Sequence, residues 1–377
     1  MVKICFCAIF KNESKNVYRC LNGVKNVIDY ISICDTGSTD NTIELIEQWG
    51  NDNNIPTQVH VREFVNFGYN RTLSVNLAKD SFKSADYLLL IDADMVLKIN
   101  KTWSISKDTL DKSSYMFLQK SDSIEYWNIR LIKANLKWEC IGVTHEYWEC
   151  SNSNINRGKI NSLWIDDRED GGCKDDKYDR DKKLLEDALK NEDLKDGLKG
   201  RYMFYLAQTY KCLNNYSKSI YWYQKRIDHG GWSEELYYSQ LQIGLNCERM
   251  KSYERAIGEY LLAWNMRPIR AEPLQHISSL YREQSKHLLS YTFAKIGINI
   301  QYPSNDTLFI DYKTYKYLFH KEISICAYYL ARDEHDNKIK EKYLTEGRNA
   351  ASYIISLDTD ISHHESKLAH DNIKFYI

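Results

Sequence analysis

Proline is scarce in this chain, four residues among 377, and beside abundant Lys, Asn, Ile and Tyr the scarcity reads as a coding bias rather than a structural device. None of the ten cysteines forms a CxxC pair, which excludes a metal-finger framework. Cys5 and Cys7 point the same way from one strand, and the set reads as reduced, buried and cytosolic. No run approaches the ~20 apolar residues that span a bilayer. The amino terminus enters a strand pattern at once, with too short an apolar region for a secretory signal. A net charge of −1 excludes an overall basic field, and with it a nucleic-acid or acidic-membrane partner. What remains is a soluble, cytoplasmic protein long enough for two or three domains.

The most informative stretch is Tyr87 to Met95, YLLLIDADM. Its unbroken apolar run predicts a strand buried on both faces, as in parallel sheets, with Asp92 and Asp94 at its carboxyl end. Two acids at that edge, where α/β sheets bind ligands, call for a shared cation or hydrogen-bond donors. Mg²⁺ or Mn²⁺ holding nucleotide phosphates fits hard oxygen ligands. The alternative is that Asp92 ends the strand while Asp94 caps the next element.

Upstream, VKICFCAIF predicts the first buried strand, and Lys11-Asn12-Glu13-Ser14 a polar turn into a helix near Asn16 to Val24. A second strand, Tyr30 to Cys34, ends in DTGSTDNT, more polar and small residues than one helix cap requires. That excess suggests a ligand loop, although a solvated connection reads similarly. Gln58 to Arg62 supplies a third strand. FGYNRTLSVNLAKD has helical periodicity and carries Arg71 near its start, where a bidentate phosphate contact and the helix dipole act together. Strands alternating with helices predict a right-handed, parallel α/β sheet.

Taken in order, FKNESKNVYRCLNGVKNVIDYISICDTGSTDNTIELIEQ, FGYNRTLSVNLAK and YLLLIDADM resemble the donor-binding half of a family 2 glycosyltransferase with the GT-A fold. The resemblance covers about the first hundred residues. It implies a Rossmann-like mixed, mainly parallel sheet that binds a UDP-sugar donor. Ala8 and Phe10 would line the uracil and ribose pocket, and Glu13 would join the nucleotide contacts. Asp35 would accept a hydrogen bond from the base, Arg71 would hold the nucleotide, and Asp92 would contact ribose or metal. Asp94 would bind Mn²⁺ or Mg²⁺ directly.

From Ser114 to Cys150 the strands become shorter and aromatic-rich. His145 suits a third metal ligand and Glu146 a general base, or both lie on a wet sheet face. Thr144-His145-Glu146 resembles the family's aliphatic-His-Glu segment, with Thr in place of the aliphatic residue. LWIDDREDGGCKDDKYDR follows, read as a solvated loop or as a lid over the donor. In the lid reading Asp166, Asp167, Asp170, Lys174 and Arg180 are sugar or diphosphate contacts, and Asp166 or Asp167 is the reserve base.

The catalytic domain is expected over residues 1–180 and an all-α, tetratricopeptide-like domain over 181–377. Ala207 and Gly244, Tyr216 and Tyr253, Ser219 and Ala256, Tyr223 and Tyr260 each stand 37 positions apart. A weaker unit follows Pro273, and helical character returns over Ile323 to Tyr353. Such stacks leave a concave face for a peptide, a protein acceptor or the second subunit of a homodimer. Trp232, after Gly230-Gly231, is the best exposed stacking residue, or else packed. His363, His364 and His370 lack a metal spacing. The expectation is an inverting, metal-dependent transferase moving a sugar from a UDP-sugar to a hydroxyl on a glycan or protein. The alternatives are a nucleotidyltransferase, which the glycine-free IFKNES disfavours, and a non-catalytic protein-binding module.

Overall fold

The structure, a computed structural model, describes residues 2–121, 125–172, 176–357 and 360–376. It comprises two compact units, Met1–Asn191 and Glu192–Ile377.

The first unit is built on one mixed sheet. In chain order its elements are β1 (Ile4–Phe10), α1 (Val17–Val24), β2 (Tyr30–Asp35), α2 (Thr42–Asp52), β3 (Thr57–Val61), α3 (Phe67–Ser81) and β4 (Tyr87–Leu90). There follow β5 (Met95–Ile99), α4 (Trp103–Asp108), β6 (Ser114–Lys120), β7 (Glu125–Lys133), β8 (Trp138–Ile141), β9 (Tyr147–Cys150), β10 (Arg157–Asp167) and α5 (Lys177–Leu189). The strand order is β3-β2-β1-β4-β7-β6-β10-β5, with β8-β9 a separate hairpin. The strands β3-β2-β1-β4 are parallel, whereas β7 runs against both β4 and β6. β10 is parallel to β6 and antiparallel to the far edge β5.

Alternation along β1 explains why it is apolar throughout. Ile4, Phe6, Ala8 and Phe10 enter the core shared with α1 and α2, while Cys5 and Cys7 enter a second core under α3 with Val75 and Ala78. The stretch Tyr87 to Met95 is not one strand. β4 ends at Leu90, a turn in which Met95 N–H donates to the Asp92 carbonyl reverses the path, and β5 begins at Met95. Asp92 and Asp94 therefore lie in a turn between an interior strand and the far edge.

Pairing of β6 with β7 steps from Tyr115↔Leu131 to Met116↔Ile129, so Arg130 is an extra residue at a β-bulge. A bulge re-aims the side chain it carries, and here Arg130 turns toward the acids. Residues expected to open the helical half, Asp181 to Leu189, lie in α5, which belongs to the first unit and buries Asp181 and Leu185.

The second unit is helical. It contains α6 (Asp196–Cys212), α7 (Tyr216–His229), α8 (Ser233–Arg249), α9 (Tyr253–Met266), α10 (Glu272–Glu283), α11 (His287–Gly297), α12 (Phe319–Asp333), α13 (Asn337–Ser356) and α14 (His363–Ile373). The 37-residue spacing recurs in the helix starts, from 196 to 233 and from 216 to 253. Ala207, Ser219, Tyr223, Ala256 and Tyr260 are all fully buried, as small and aromatic partners in helix packing should be.

Candidate active site

The site grows from the carboxyl ends of β1, β2 and β4 and from the segments that close on them. Asn12, at φ 53°, accepts from Thr39 N–H at 2.7 Å, and its own N–H donates to Ser38 Oγ at 2.9 Å. Glu13 N–H donates to Thr42 Oγ1 at 2.8 Å. Asp35 Oδ1 accepts from the N–H groups of Gly37 (3.0 Å) and Ser38 (2.9 Å), and Oδ2 from the Ser38 hydroxyl. The polar richness of DTGSTDNT is thus spent largely on fastening the two loops together. Asp35, Ala8 and Phe10 are all buried, so they form the floor beneath these loops rather than an open wall.

Helix α3 carries Arg71 into the site. Asn66 caps it by accepting Tyr69 N–H at 2.8 Å, and buried Asn70 holds Val65 N–H and the Glu63 carbonyl. The helix start lies on the loop after β8, where Gly68 N–H donates to the Gly142 carbonyl at 3.0 Å. A Cβ on Gly68 would come within 2.3 Å of that oxygen, so only glycine permits the approach. This fit brings Glu146 onto Arg71.

A chain of polar contacts then crosses the edge. Arg71 Nε donates to Glu146 Oε1 and Nη1 to Asp92 Oδ1, both at 2.6 Å. Arg130 Nη1 lies 3.6 Å from Asp92 Oδ2, and its Nη2 donates to Gln119 Oε1. Gln119 Nε2 donates to Asp167 Oδ2 at 2.7 Å. Burial opposes the charge on Asp92, yet Arg71 and Arg130 hold its carboxyl below the ordinary carboxylate range.

Asp94 has the opposite environment. Burial, and then the negative charges of Asp92, Asp167 and Glu13, push its carboxyl up to about 6. That displacement corresponds to roughly 3 kcal/mol set against the ionised form. Burial likewise raises Glu13. A hard cation is the chemistry that relieves such a cluster, and Arg130 Nε adds a buried donor that has no hydrogen-bond partner among the described residues.

The segment after β10 closes on these acids. Arg19 makes a two-pronged contact with Asp170, and Asn16 Nδ2 donates to the Asp170 carbonyl at 3.3 Å. Gly172 N–H donates to Glu13 Oε1 at 3.0 Å. A Cβ on Gly172 would sit 1.7 Å from the Asn12 carbonyl oxygen, and one on Gly171 would sit 3.1 Å from Asp94 Oδ2. Gly171 and Gly172 therefore form a strap pressed against the site.

Of the expected site residues, Glu13, Arg71, Asp92, Asp94, Glu146 and Asp167 share this edge. Asp166 faces the other side of β10, where it pairs with Arg168 at 2.7 Å and Lys98 at 3.6 Å. His145 is exposed at φ 51°, and among the described residues no three His, Cys, Asp or Glu side chains form a metal-holding group. Lys174 lies outside the described residues. Thr144 Oγ1 donates to buried Asp181 at 3.3 Å, while the Arg180 guanidinium lies over the Phe67 ring at 5.1 Å. Sequence reasoning missed Arg130 and Gln119. Their only sequence signal is a basic and an amide residue interrupting apolar strands, at YWNIRLIK and YMFLQK.

The model of glycosyl transferase family 2 matches residues 5–105, the segment that supplies β1 to β5 and with them Glu13, Arg71, Asp92 and Asp94. The similarity to that family lies in these residues. An uncharacterized glycosyltransferase of Rickettsia felis is 31% identical over 117 residues, 31% of this chain and 35% of that protein. One of Rickettsia bellii is 29% identical over 131 residues, 34% of this chain and 38% of that protein. The chain spans little more than a third of the length of these curated relatives. The crystal structure of S. aureus TarS 1–349 covers 71% of this chain and 92% of that one at 13% identity, with a TM-score of 0.39, too loose a likeness to argue from. The strands β6 to β10 lie beyond the matched segment, so Arg130, Gln119, Glu146 and Asp167 are additions that the fold makes to it.

Proposed function

We propose that this protein is an inverting glycosyltransferase that moves a sugar, a hexose, from a UDP-sugar to a hydroxyl of a glycan or protein acceptor. The observation that carries the reading is the clustering of Asp94 with Glu13 and Asp167 at an edge where arginines already neutralise Asp92, on a segment similar to family 2.

The residues fit a divalent cation that takes few protein ligands and completes its shell with phosphate oxygens, as Mg²⁺ and Mn²⁺ do. Asp94 would hold it, and when bound there such an ion supplies positive charge to the departing diphosphate. Arg71 lies between Asp92 and Glu146 and, with Arg130, offers guanidinium donors to the nucleotide diphosphate. Asp35, Ala8 and Phe10 act from beneath by shaping the loop that receives the nucleotide. The acceptor oxygen attacks the anomeric carbon opposite the diphosphate, the C1–O bond to the diphosphate breaks, and the acceptor proton passes to a carboxylate.

Asp167 is the carboxylate we assign to that task. Glu146 is ion-paired with Arg71 at 2.6 Å and Asp166 with Arg168 at 2.7 Å, whereas Asp167 accepts from neutral donors, Gln119 Nε2 at 2.7 Å and Glu169 N–H at 3.2 Å, and shares the edge with Asp94. Glu146 then serves to position Arg71. The test is release of UDP from a panel of UDP-sugars with Mn²⁺ present. Turnover of at least one donor, reduced by Asp167→Asn more than by Glu146→Gln, is expected. No turnover of any donor, together with no UDP binding, overturns the reading.

A further inference from the structure

The sheet has a second functional candidate on the face opposite Gln119 and Asp167. Strand pairing aligns Trp127 of β7, Leu118 of β6 and Trp164 of β10 in one row, because Leu118 pairs with both tryptophans. Side chains in one row share a face, and two strands' separation places the outer pair roughly 10 Å apart at the backbone. The buried aromatic residues of β6, Tyr115 and Phe117, point the other way into the main core. The indoles are thus not required by that core.

Between them lies a cavity of about 340 Å³ lined by Leu118, Lys120, Trp127, Asn161, Leu163 and Trp164. Its volume is that of a small-molecule site, and its make-up, aromatic walls with a few polar groups at the rim, is the usual one for such a site. Lys159 Nζ lies 4.6 Å from the centroid of the Trp127 ring and Lys120 Nζ 5.9 Å from that of Trp164, so an ammonium stands over one face of each indole and the other face is the one a ligand would meet. Asn161 is exposed on the irregular stretch where the β10 register shifts between Lys159 and Trp164.

We propose that this cleft is a carbohydrate-binding subsite, seating one pyranose ring of a glycan between Trp127 and Trp164 on the face of the sheet away from the acids. The C–H face of a pyranose matches an indole face, and its hydroxyls match the Lys120 ammonium and the Asn161 amide. A nucleic-acid track is disfavoured by local charge balance. Lys120 pairs with Glu125 at 2.8 Å, and Asp166 is shared by Arg168 and Lys98. A protein partner needs a contact area of ~1,000 Å² or more, far beyond one sugar-sized cleft. Neither Trp127 nor Trp164 touches the proposed transfer chemistry, so the subsite stands or falls apart from it.

The test titrates the full chain with maltohexaose, cellohexaose and chitohexaose by calorimetry, and separately with oligo(dT). Binding of at least one hexasaccharide is expected, weakened about tenfold by Trp127→Ala or Trp164→Ala, the scale of one lost aromatic contact. Trp127→Phe should restore most of it. UDP release from the donor should stay within about twofold, the scale of an uninvolved surface change. Asn161→Ala, at an exposed position that leaves the fold intact, should weaken sugar binding in the same direction. The proposal is overturned if no hexasaccharide binds, or if binding is equal in the wild type and the folded variants. It is also overturned if oligo(dT) binding or self-association, rather than sugar binding, is what the tryptophan changes remove.

Discussion

Each unit contains a buried charged network, and the two are balanced differently. In the helical unit, Arg270 is fully buried and makes paired hydrogen bonds to Glu272, with further donors on the Leu308 and Phe309 carbonyls. Arg267 and Asp306 form a second pair, Tyr237 and Tyr315 donate to Glu272, and Glu234 accepts the N–H groups of Thr307 and Leu308. Two arginines meet Glu272 and Asp306, a third carboxylate, Glu234, is held by backbone N–H groups, and the result is a staple for the segment 306–309. In the sheet unit, Arg71 and Arg130 neutralise Asp92 and Glu146, and among the described residues Asp94, Glu13 and Asp167 are left as surplus acids at the same edge. A matched network stabilises a conformation. An unmatched one stores affinity for a ligand of opposite charge.

The largest expected effect lies in the matched network. Arg270→Met leaves Glu272 buried without its arginine, while Asp306 keeps Arg267, and should cost about 3–5 kcal/mol. A fall in the urea midpoint of unfolding checks it, and an unchanged midpoint would erase the contrast between the networks. At the unmatched edge the prediction is reversed. Asp94→Asn should lower kcat on the order of 10²–10³-fold, the scale of losing one charge-stabilising group, while leaving the melting temperature unchanged or raised.

Acid separates the units further. Burial pushes His320, stacked on Tyr353 at 4.0 Å, down to about 4. Its folded value is below the unfolded value of about 6.5, so the unfolded chain takes up the proton first. Stability is therefore complete above pH ~6.5 and lost as pH falls toward 4, by on the order of 3 kcal/mol. Thermal melts of wild type and His320→Phe across that range check it, since the variant should lose less. The smallest effect concerns the strap. Gly172→Ala forces a Cβ against the Asn12 carbonyl oxygen and should cost about 1–3 kcal/mol, as overpacking does, with faster amide exchange at Glu13 and Gly172.

The contrast also shows which features a sequence reveals. Strands of the parallel half were legible because ICFCAIF and YLLL are apolar on both faces, Asp92 and Asp94 because they follow such a strand, and Arg71 because it stands near the start of a helix. The helical repeat was legible in its small and aromatic pairs. Arg130 was not, since its role depends on a one-residue bulge that only pairing with β6 creates. Asp35 reads as a ligand group, yet local backbone N–H groups occupy it, because a loop with Gly37 in the left-handed region folds back upon its own carboxylate. The turn that splits YLLLIDADM was hidden by the apolar residues on either side of it. Sequence periodicity sees faces, whereas bulges, straps and turns depend on partners distant in the chain.

The most direct measurement is calorimetric titration of UDP into wild type and Asp94→Asn, each with and without Mn²⁺. Mn²⁺ should tighten UDP binding to the wild type about tenfold or more and have little effect on the variant, as expected if a cation bridges Asp94 and the diphosphate. Equal enhancement by Mn²⁺ in both proteins, or none in either, would contradict the claim that the surplus acid at this edge exists to hold a cation and its diphosphate.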